Sequence, residues 1–270
     1  MTDRSVACFP ADRVRLTHMR GALSAYSALE PFSDVSALAE AIRGGGISAT
    51  VVIVDAATFE TAEAALRRIH ASFAAHPLVA YYDPRGLTPR HLLALAQSGV
   101  ADLVQLDVDD SRHVFGRIIE SATRVSHAKT LTELLIADIP HPLRSVFTFA
   151  LEHAGRRMDV PELAAALGIS KRTLAYRLER YGLPTPRVFL TWCQLLVAAL
   201  LLDERGRTLD SVAGQLNFSG GHALGGVFFR YLGCGVMTLR EHGVLDEVVA
   251  GFRMALTTPG ASLPLTLRQG

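Results

Sequence analysis

The chain has 270 residues, of which 49% are hydrophobic, and a formal net charge of +1. This length accommodates two domains of ordinary size, each with enough apolar residues to bury a core. The three cysteines are an odd number at wide spacing, which excludes a disulfide framework and a cysteine-based metal site. The first fifteen residues carry five charged side chains, which is not the pattern of a secretory leader, so a cytoplasmic location is expected.

In chain order, residues 5–125 alternate short β-rich runs with amphipathic helical runs. The strand candidates are 6–9, 26–31, 49–55, 77–83 and 101–107, and a helical stretch follows each of them. The run ATVVIVD at 49–55 is apolar until its terminal carboxylate, which is typical of a strand buried on both faces of a parallel sheet. Five β-α units predict an α/β domain with a doubly wound, flavodoxin-like (βα)5 sheet over residues 1–126.

From residue 126 onward the patterns are helical, so an all-α domain is expected. A connecting helix or linker is predicted for 127–141, a helical domain for 142–250 and a loosely held tail for 251–270. The most hydrophobic run, 188–202, has 15 residues, whereas a membrane span needs about 20. We therefore expect a buried helix there and no membrane association.

Charge is distributed unevenly between these two regions. Residues 1–126 hold 12 Lys+Arg against 14 Asp+Glu, and residues 127–270 hold 15 against 12. Within 156–187 the counts are 7 against 3, so the positive charge is local, as a phosphate-contacting surface requires. The 25 arginines against two lysines, together with many alanines and glycines, indicate a GC-rich bacterial genome.

The segment VPELAAALGISKRTLAYRLERYG, residues 160–182, predicts a helix-turn-helix. Gly168 permits the left-handed backbone of a sharp turn between two helices, and Ser170 is placed to cap the second helix. That helix buries Leu174 and Leu178 and leaves a polar face outside. A face of this composition can contact base edges and phosphates in a major groove of DNA. The predicted DNA-contacting residues of this unit are Ser170, Lys171, Arg172, Thr173, Tyr176, Arg177 and Arg180.

The pattern recurs at LDSVAGQLNFSGGHALGGVFFRYLG, residues 209–233, at a constant offset of 49 residues. In this alignment Asn217 replaces the turn glycine, and Ser219 replaces the capping serine. The predicted DNA-contacting residues of the second unit are Ser219, His222 and Arg230. The 18 residues of 187–204 between the units make a helix of roughly 27 Å, against about 34 Å between successive major grooves.

Residues 142–241 resemble the DNA-binding domain of AraC/XylS transcription regulators. The resemblance rests on LAAALGISKRTLAYRL, on QLLVAALLL, on SVAGQLNFSGGHALGGVFFRYLG and on TLRE. It implies contact with two adjacent major grooves and dimerisation through another domain. The second recognition helix departs from the family because its segment 220–231 has four glycines, and Val236 stands where the family usually has proline. This unit therefore reads bases, contacts only the DNA backbone, docks on a partner or is a structural copy.

The first domain resembles the receiver domain of two-component response regulators. Asp55 falls at the phosphoacceptor position of that family. Receivers also supply an acidic pair after the first strand, Ser or Thr after the fourth and a lysine after the fifth, none of which this sequence has. Because a Mg²⁺ site needs two or more oxygen ligands, we expect a pseudo-receiver without a cofactor.

These patterns together predict a non-enzymatic bacterial transcription regulator that binds double-stranded DNA. The first domain is expected to form a homodimer or to receive a regulatory partner or effector. Apolar candidates for the dimer contact lie on its last helix: Val114, Phe115, Ile118 and Ile119. Two alternatives remain open, namely a phospho-accepting response regulator that uses Asp55 and a protein-interaction adaptor with a degenerate helix-turn-helix.

Overall fold

The computed structural model describes residues 5–23, 28–74, 76–156, 158–204 and 207–257. The chain divides into two compact units, Met1–Ser126 and His127–Gly270, called here the first and the second unit.

The first unit is a five-stranded parallel sheet with helices between the strands. Its strands are β1 (Ser5–Phe9), β2 (Ala28–Pro31), β3 (Ile47–Val54), β4 (Leu78–Tyr82) and β5 (Asp102–Gln105). Its helices are α1 (Arg13–Ala22), α2 (Val35–Arg43), α3 (Phe59–Ser72), α4 (Pro89–Gln97) and the start of α5 (Arg112–Leu134). The strand order is β2-β1-β3-β4-β5, so the predicted flavodoxin-like (βα)5 sheet is confirmed.

Two apolar clusters form on opposite faces of this sheet, because successive side chains of a strand point to opposite sides. Val51 and Ile53 of β3 belong to the cluster that packs against α1 and α5. Val52 and Val54 belong to the cluster that packs against α2, α3 and α4. The continuous apolar run of β3 is therefore explained by burial on both faces.

The second unit is helical throughout its described residues. Its helices are the end of α5, α6 (Arg144–Glu152), α7 (Val160–Ala166), α8 (Lys171–Arg180), α9 (Pro186–Asp203), α10 (Leu209–Gln215), α11 (Gly221–Leu232), α12 (Val236–Arg240) and α13 (Val244–Thr257). Short 3₁₀ turns at His141–Leu143 and Ala154–Arg156 flank α6. Within the described ranges, α9 is the one helix long and apolar enough to cross a membrane, yet most of its side chains are buried in the core of this unit.

The segment 127–141, predicted as a connecting helix or linker, is helical to Leu134 and contributes to the helical core. α5 continues to Leu134, because no glycine or proline interrupts the sequence between Gly116 and Pro140. Leu131 and Leu135 are fully buried in the core of the second unit. This segment is therefore part of the helical core.

The predicted C-terminal tail is also shorter than expected. α13 extends to Thr257, with Gly251 and Phe252 buried and Phe252 stacked on Phe147. The apolar spacing of 248, 249 and 252 continues the helix past residue 250, where the sequence analysis ended it. The remaining tail, 258–270, lies outside the described residues.

Candidate functional site

The first helix-turn-helix consists of α7, a tight turn and α8. Asp159 caps α7 in a capping box with Glu162: each side chain accepts a hydrogen bond from the other residue's backbone N–H, both at 2.8 Å. Gly168 has φ 65° and reverses the chain, as predicted for the turn. Ser170 caps α8 by accepting a hydrogen bond from the Thr173 amide at 3.0 Å. The two caps thus determine where α7 and α8 begin, and Gly168 forms the turn between them.

One face of α8 is buried and the other is cationic. Leu174 and Leu178 are fully buried. The exposed side chains of α8 are those of Lys171, Arg172, Tyr176, Arg177, Glu179 and Arg180. Tyr176 is 60% exposed, at the middle of this face. Thr173 is half-buried and also holds the Ser170 hydroxyl.

The cations on this face have no carboxylate partner among the residues that the structure describes. Among the described residues, none forms a hydrogen bond or ion pair with the side chains of Lys171, Arg172 or Arg177. Arg180 lies over the ring of Tyr181, with 5.9 Å between its guanidinium carbon and the ring centroid. Guanidinium groups free of internal carboxylates are available for phosphates and for the bidentate contact with guanine.

The second helix-turn-helix consists of α10, a turn and α11. Thr208 caps α10 by accepting a hydrogen bond from the Ser211 amide. Asn217 takes the left-handed conformation, with φ 56°, at the position equivalent to Gly168. Val212 and Ala213 are buried, as are Leu163 and Ala164 of the first helix-turn-helix. Up to the turn, the offset of 49 residues is confirmed.

Beyond the turn, the offset of 49 and the capping role of Ser219 were wrong. The cap residue of α11 is Gly220, which supplies no side-chain hydrogen bond. Instead, Asp210 of α10 accepts a hydrogen bond from the Gly221 amide at 2.7 Å. The buried apolar side chains of α11 are those of Leu224 and Phe228, and they match Leu174 and Leu178 at an offset of 50. The second turn is thus one residue longer than the first.

The corrected offset relates the exposed faces of the two recognition helices. Arg172 corresponds to His222 and Arg180 to Arg230, and all four side chains are exposed. Tyr176 corresponds to Gly226. Ser219 is exposed in the turn, before α11 begins. The second helix therefore keeps two polar positions of the first and lacks the central aromatic side chain.

Phe229 is the residue of α11 that the sequence analysis missed. Its side chain is 62% exposed, although phenylalanine is usually buried. Its neighbour Phe228 is fully buried, so the pair Phe228–Phe229 cannot lie on one helix face. The sequence could have predicted this exposure from the two adjacent phenylalanines. Neighbouring residues of a helix are about 100° apart, so only one of the two could face the core.

A second polar cluster lies where the strands of the first unit end, and Asp55 is its centre. Its Oδ1 accepts hydrogen bonds from the Ala57 amide and from both the amide and hydroxyl of Thr58, at 2.8–3.0 Å. Its Oδ2 accepts a hydrogen bond from Arg15 Nη2 at 3.1 Å. Burial raises the pKa of the Asp55 carboxyl, but the bonds from Thr58 and the charge of Arg15 outweigh it and leave the pKa below its usual value.

Arg15 is surrounded by three carboxylates. Besides Asp55, its guanidinium lies 3.7 Å from Asp12 Oδ2 and 3.9 Å from Asp83 Oδ2. Asp83 also pairs with Arg85 at 2.8 Å, and these hydrogen bonds lower its pKa to about 2. Sequence reasoning missed Arg15, although its place one turn into α1, directly after β1, was visible.

This arrangement does not fit the Mg²⁺ ion that the receiver resemblance implies. The carboxylates that would be its ligands already surround the guanidinium of Arg15. In the parts of the chain that the structure describes, no group of three or more His, Cys, Asp or Glu side chains has the geometry to hold a metal ion.

A neighbouring network holds Asp110, which is almost fully buried. Its Oδ2 accepts hydrogen bonds from the Tyr81 hydroxyl at 2.8 Å and from the Asp107 amide at 3.0 Å, and His18 Nε2 lies at 3.0 Å. Burial raises the pKa of the Asp110 carboxyl, but these partners outweigh it and leave the pKa below its usual value. The network ties α1 to β4 and to the segment before α5.

Comparison with known structures gives similarities at low identity. The chain is similar to full-length FixJ from B. japonicum, at 15% identity over 85% of this chain and 97% of that one, with a TM-score of 0.36. It is similar to the response regulator StyR, at 14% identity over 80% and 98% of the two chains, with a TM-score of 0.33. It is also similar to RcsB from Salmonella enterica serovar Typhimurium, bound to promoter rprA in the presence of phosphomimetic BeF3-. The identity is 15% over 70% of this chain and 98% of that one, with a TM-score of 0.32. Alignments with TM-scores this low establish neither a function nor an assembly.

Comparison with known sequences gives one family. No curated protein matches the chain significantly. The family described as "Helix-turn-helix domain" matches residues 163–242, which begin in α7 and end after α12. The match includes both helix-turn-helix units and the helix α9 between them. Residues 163–242 are thus a helix-turn-helix domain of AraC type, which confirms for this segment the resemblance found in the sequence.

Proposed function

We propose that the protein is a transcription regulator that binds double-stranded DNA through its second unit, with α8 in a major groove. The observation that carries this proposal is the exposed face of α8. Lys171, Arg172 and Arg177 project from a capped helix, and no described residue of the protein neutralises them. The AraC-type match over residues 163–242 supports the same function, since helix-turn-helix units place their second helix in the groove.

We further propose that the first unit acts without phosphorylation, as a module for dimerisation or for a regulatory partner. The support is the environment of Asp55, whose two carboxylate oxygens are occupied by Thr58, Ala57 and Arg15. A phosphoryl transfer to Asp55 would have to break the ion pair with Arg15. It would also lack the cation that offsets the charge of the phosphoryl group.

The experiment that tests DNA binding is a titration of full-length protein against a duplex that this protein selects from a random pool. Arg172→Ala and Arg177→Ala should each cost about 1–3 kcal/mol of binding free energy if the residue contacts a base, and should lower the salt dependence if it contacts a phosphate. The matched control is Arg20→Ala, which removes an exposed arginine from α1. Equal effects of all three variants, or binding that salt does not change, would contradict the proposal and favour the adaptor function.

The phosphorylation alternative has its own test. Full-length protein is treated with acetyl phosphate and Mg²⁺ and analysed by mass spectrometry. We expect no phosphoryl adduct, and we expect Asp55→Glu to leave DNA affinity unchanged. An adduct on Asp55 that disappears in Asp55→Ala would instead establish a phospho-accepting response regulator.

A further inference from the structure

The exposed face of α11 has a gap at its centre. Gly226 lies between the two buried positions Leu224 and Phe228, at about 160–200° from each around the helix axis. It therefore faces directly away from the core. No heavy atom lies within 4 Å of the position where a Cβ would be, so the backbone of the helix is bare at this point.

Packing explains Gly221 of α11 but not Gly226. A Cβ at Gly221 would lie 2.7 Å from Asp210 Oδ1, and a Cβ at Gly225 would lie 3.4 Å from Leu209 Cδ2. These two glycines face α10. The backbone of Gly226 is helical with negative φ, so neither the fold nor the conformation requires glycine there. A glycine inside a helix destabilises it relative to alanine, so its presence calls for another reason.

The residues around the gap form a small surface of mixed chemistry. His222 and Arg230 are four residues before and after Gly226, on the same helix face, and Phe229 is three residues after it. All three side chains are exposed. The equivalent surface on α8 has Tyr176 in place of the gap, so the two recognition helices cannot meet DNA in the same way.

We propose that α11 lies closer to the floor of its major groove than α8 does, with its backbone at Gly226 against the base edges and Phe229 against thymine methyl groups. This inference rests on the DNA-binding function proposed above and assigns the chemistry of the second half-site. Glycine allows close approach of a backbone to a ligand, and phenylalanine makes apolar contact with the thymine methyl group. His222 and Arg230 contact the phosphates on either side of the groove.

The first test compares two glycine-to-alanine variants of the full-length protein. Gly226→Ala and the control Gly214→Ala, in α10, both place a methyl group in open space on an exposed helix. Both should raise the thermal midpoint of unfolding, because alanine is the better helix former. Only Gly226→Ala should weaken binding to the selected duplex, by about ten-fold, the loss expected for one base contact. Equal affinity of Gly226→Ala and wild type would overturn the inference.

The second test removes thymine methyl groups from the DNA. In the selected duplex, deoxyuridine replaces thymine at each position of the second half-site in turn. We expect at least one replacement to weaken wild-type binding by about three-fold or more, to weaken Phe229→Leu similarly, and to leave Phe229→Ala unaffected. The same loss in wild type and in Phe229→Ala, or no loss at any position, would show that Phe229 does not contact these methyl groups.

The two proposals fail in different ways. If Arg172→Ala weakens binding while Gly226→Ala and the deoxyuridine replacements have no effect, the proposed DNA-binding function stands. The proposed role of α11 is then refuted. No effect of Arg172→Ala or Arg177→Ala refutes the DNA-binding function itself and, with it, this inference.

Discussion

At the scale of single residues, Arg15 determines what the polar cluster of the first unit can do. Its guanidinium lies where three carboxylates converge, and its side chain is only 17% exposed. A receiver would hold a divalent cation among such oxygens, whereas here a covalently attached cation neutralises them. The sequence allowed Asp55 to be located, because strand ends of a parallel sheet meet at one edge. It did not show that Arg15 reaches Asp55, because that contact depends on a side-chain direction set by the packing of α1.

Replacement of Arg15 should therefore destabilise the protein more than replacement of a surface arginine. Arg15→Gln leaves Asp55 and Asp83 without this partner, and we expect it to lower the free energy of unfolding by about 1–3 kcal/mol. Arg85→Gln is the control, since the Arg85 side chain is 77% exposed and solvent screens its pair with Asp83. Urea denaturation measures both. A larger loss for Arg85→Gln than for Arg15→Gln would contradict the central position assigned to Arg15.

The low pKa of Asp83 predicts a loss of stability in acid. Its hydrogen bonds with Arg85 lower its pKa from 3.8 to about 2 in the folded protein, so the unfolded state binds the proton more readily. The stabilisation is therefore present above about pH 4 and is lost as the pH falls towards 2. Thermal unfolding measured across this range should show a weaker pH dependence in Asp83→Asn. An identical dependence in both proteins would exclude Asp83 as its source.

At the scale of elements, the two helix-turn-helix units show what a repeat in sequence can and cannot predict. The apolar spacing of α7 and α10 predicted their equivalence, and Gly168 and Asn217 marked both turns by their tolerance of positive φ. The sequence did not reveal the extra residue of the second turn, because serine is a favoured N-cap residue and Ser219 fits the offset of 49. Gly220 and Gly221 fit either register on propensity alone, and the deciding group, the carboxylate of Asp210, lies on another helix.

The capping difference can be measured. Asp210→Ala should lower the free energy of unfolding by about 1 kcal/mol, because it removes the hydrogen bond to the Gly221 amide at the start of α11. Ser170→Ala should cost about the same at the start of α8. Ser219→Ala is the control and should have little effect, since Ser219 caps no helix. If Ser219→Ala costs as much as Ser170→Ala, the register of 49 residues is right after all.

At the scale of the whole molecule, the proposed assembly has less apolar surface than the sequence suggested. Of the four residues considered for a dimer contact on α5, Phe115 and Ile119 are fully buried in the first unit, and Phe115 stacks on Tyr81. Val114 and Ile118 are half-buried. The amphipathic pattern predicted that one edge of the stripe faces the sheet, but it could not give the width of that edge, which depends on how close α5 packs.

Full-length protein should nevertheless be a homodimer if the first unit serves dimerisation, with a mass twice that of the 29.1 kDa chain. It should then prefer duplexes with two sites over duplexes with one, because the second contact forms at high effective concentration. Light scattering at tens of micromolar measures the mass, and titration of the two duplexes measures the preference. A monomer with equal affinity per site would leave partner or effector binding as the role of the first unit.

The helix α9 has a consequence for the DNA rather than for the protein. It is one continuous helix between the two helix-turn-helix units, and most of its side chains pack in their shared core. In the proposed complex the spacing between α8 and α11 is therefore constant. B-form DNA turns by about 35° per base pair, so one inserted base pair rotates the second half-site by that angle, and about five place it on the opposite face of the duplex. Operators of this protein must keep a constant helical phase within one copy's footprint, while the phase between two copies is not constrained by α9.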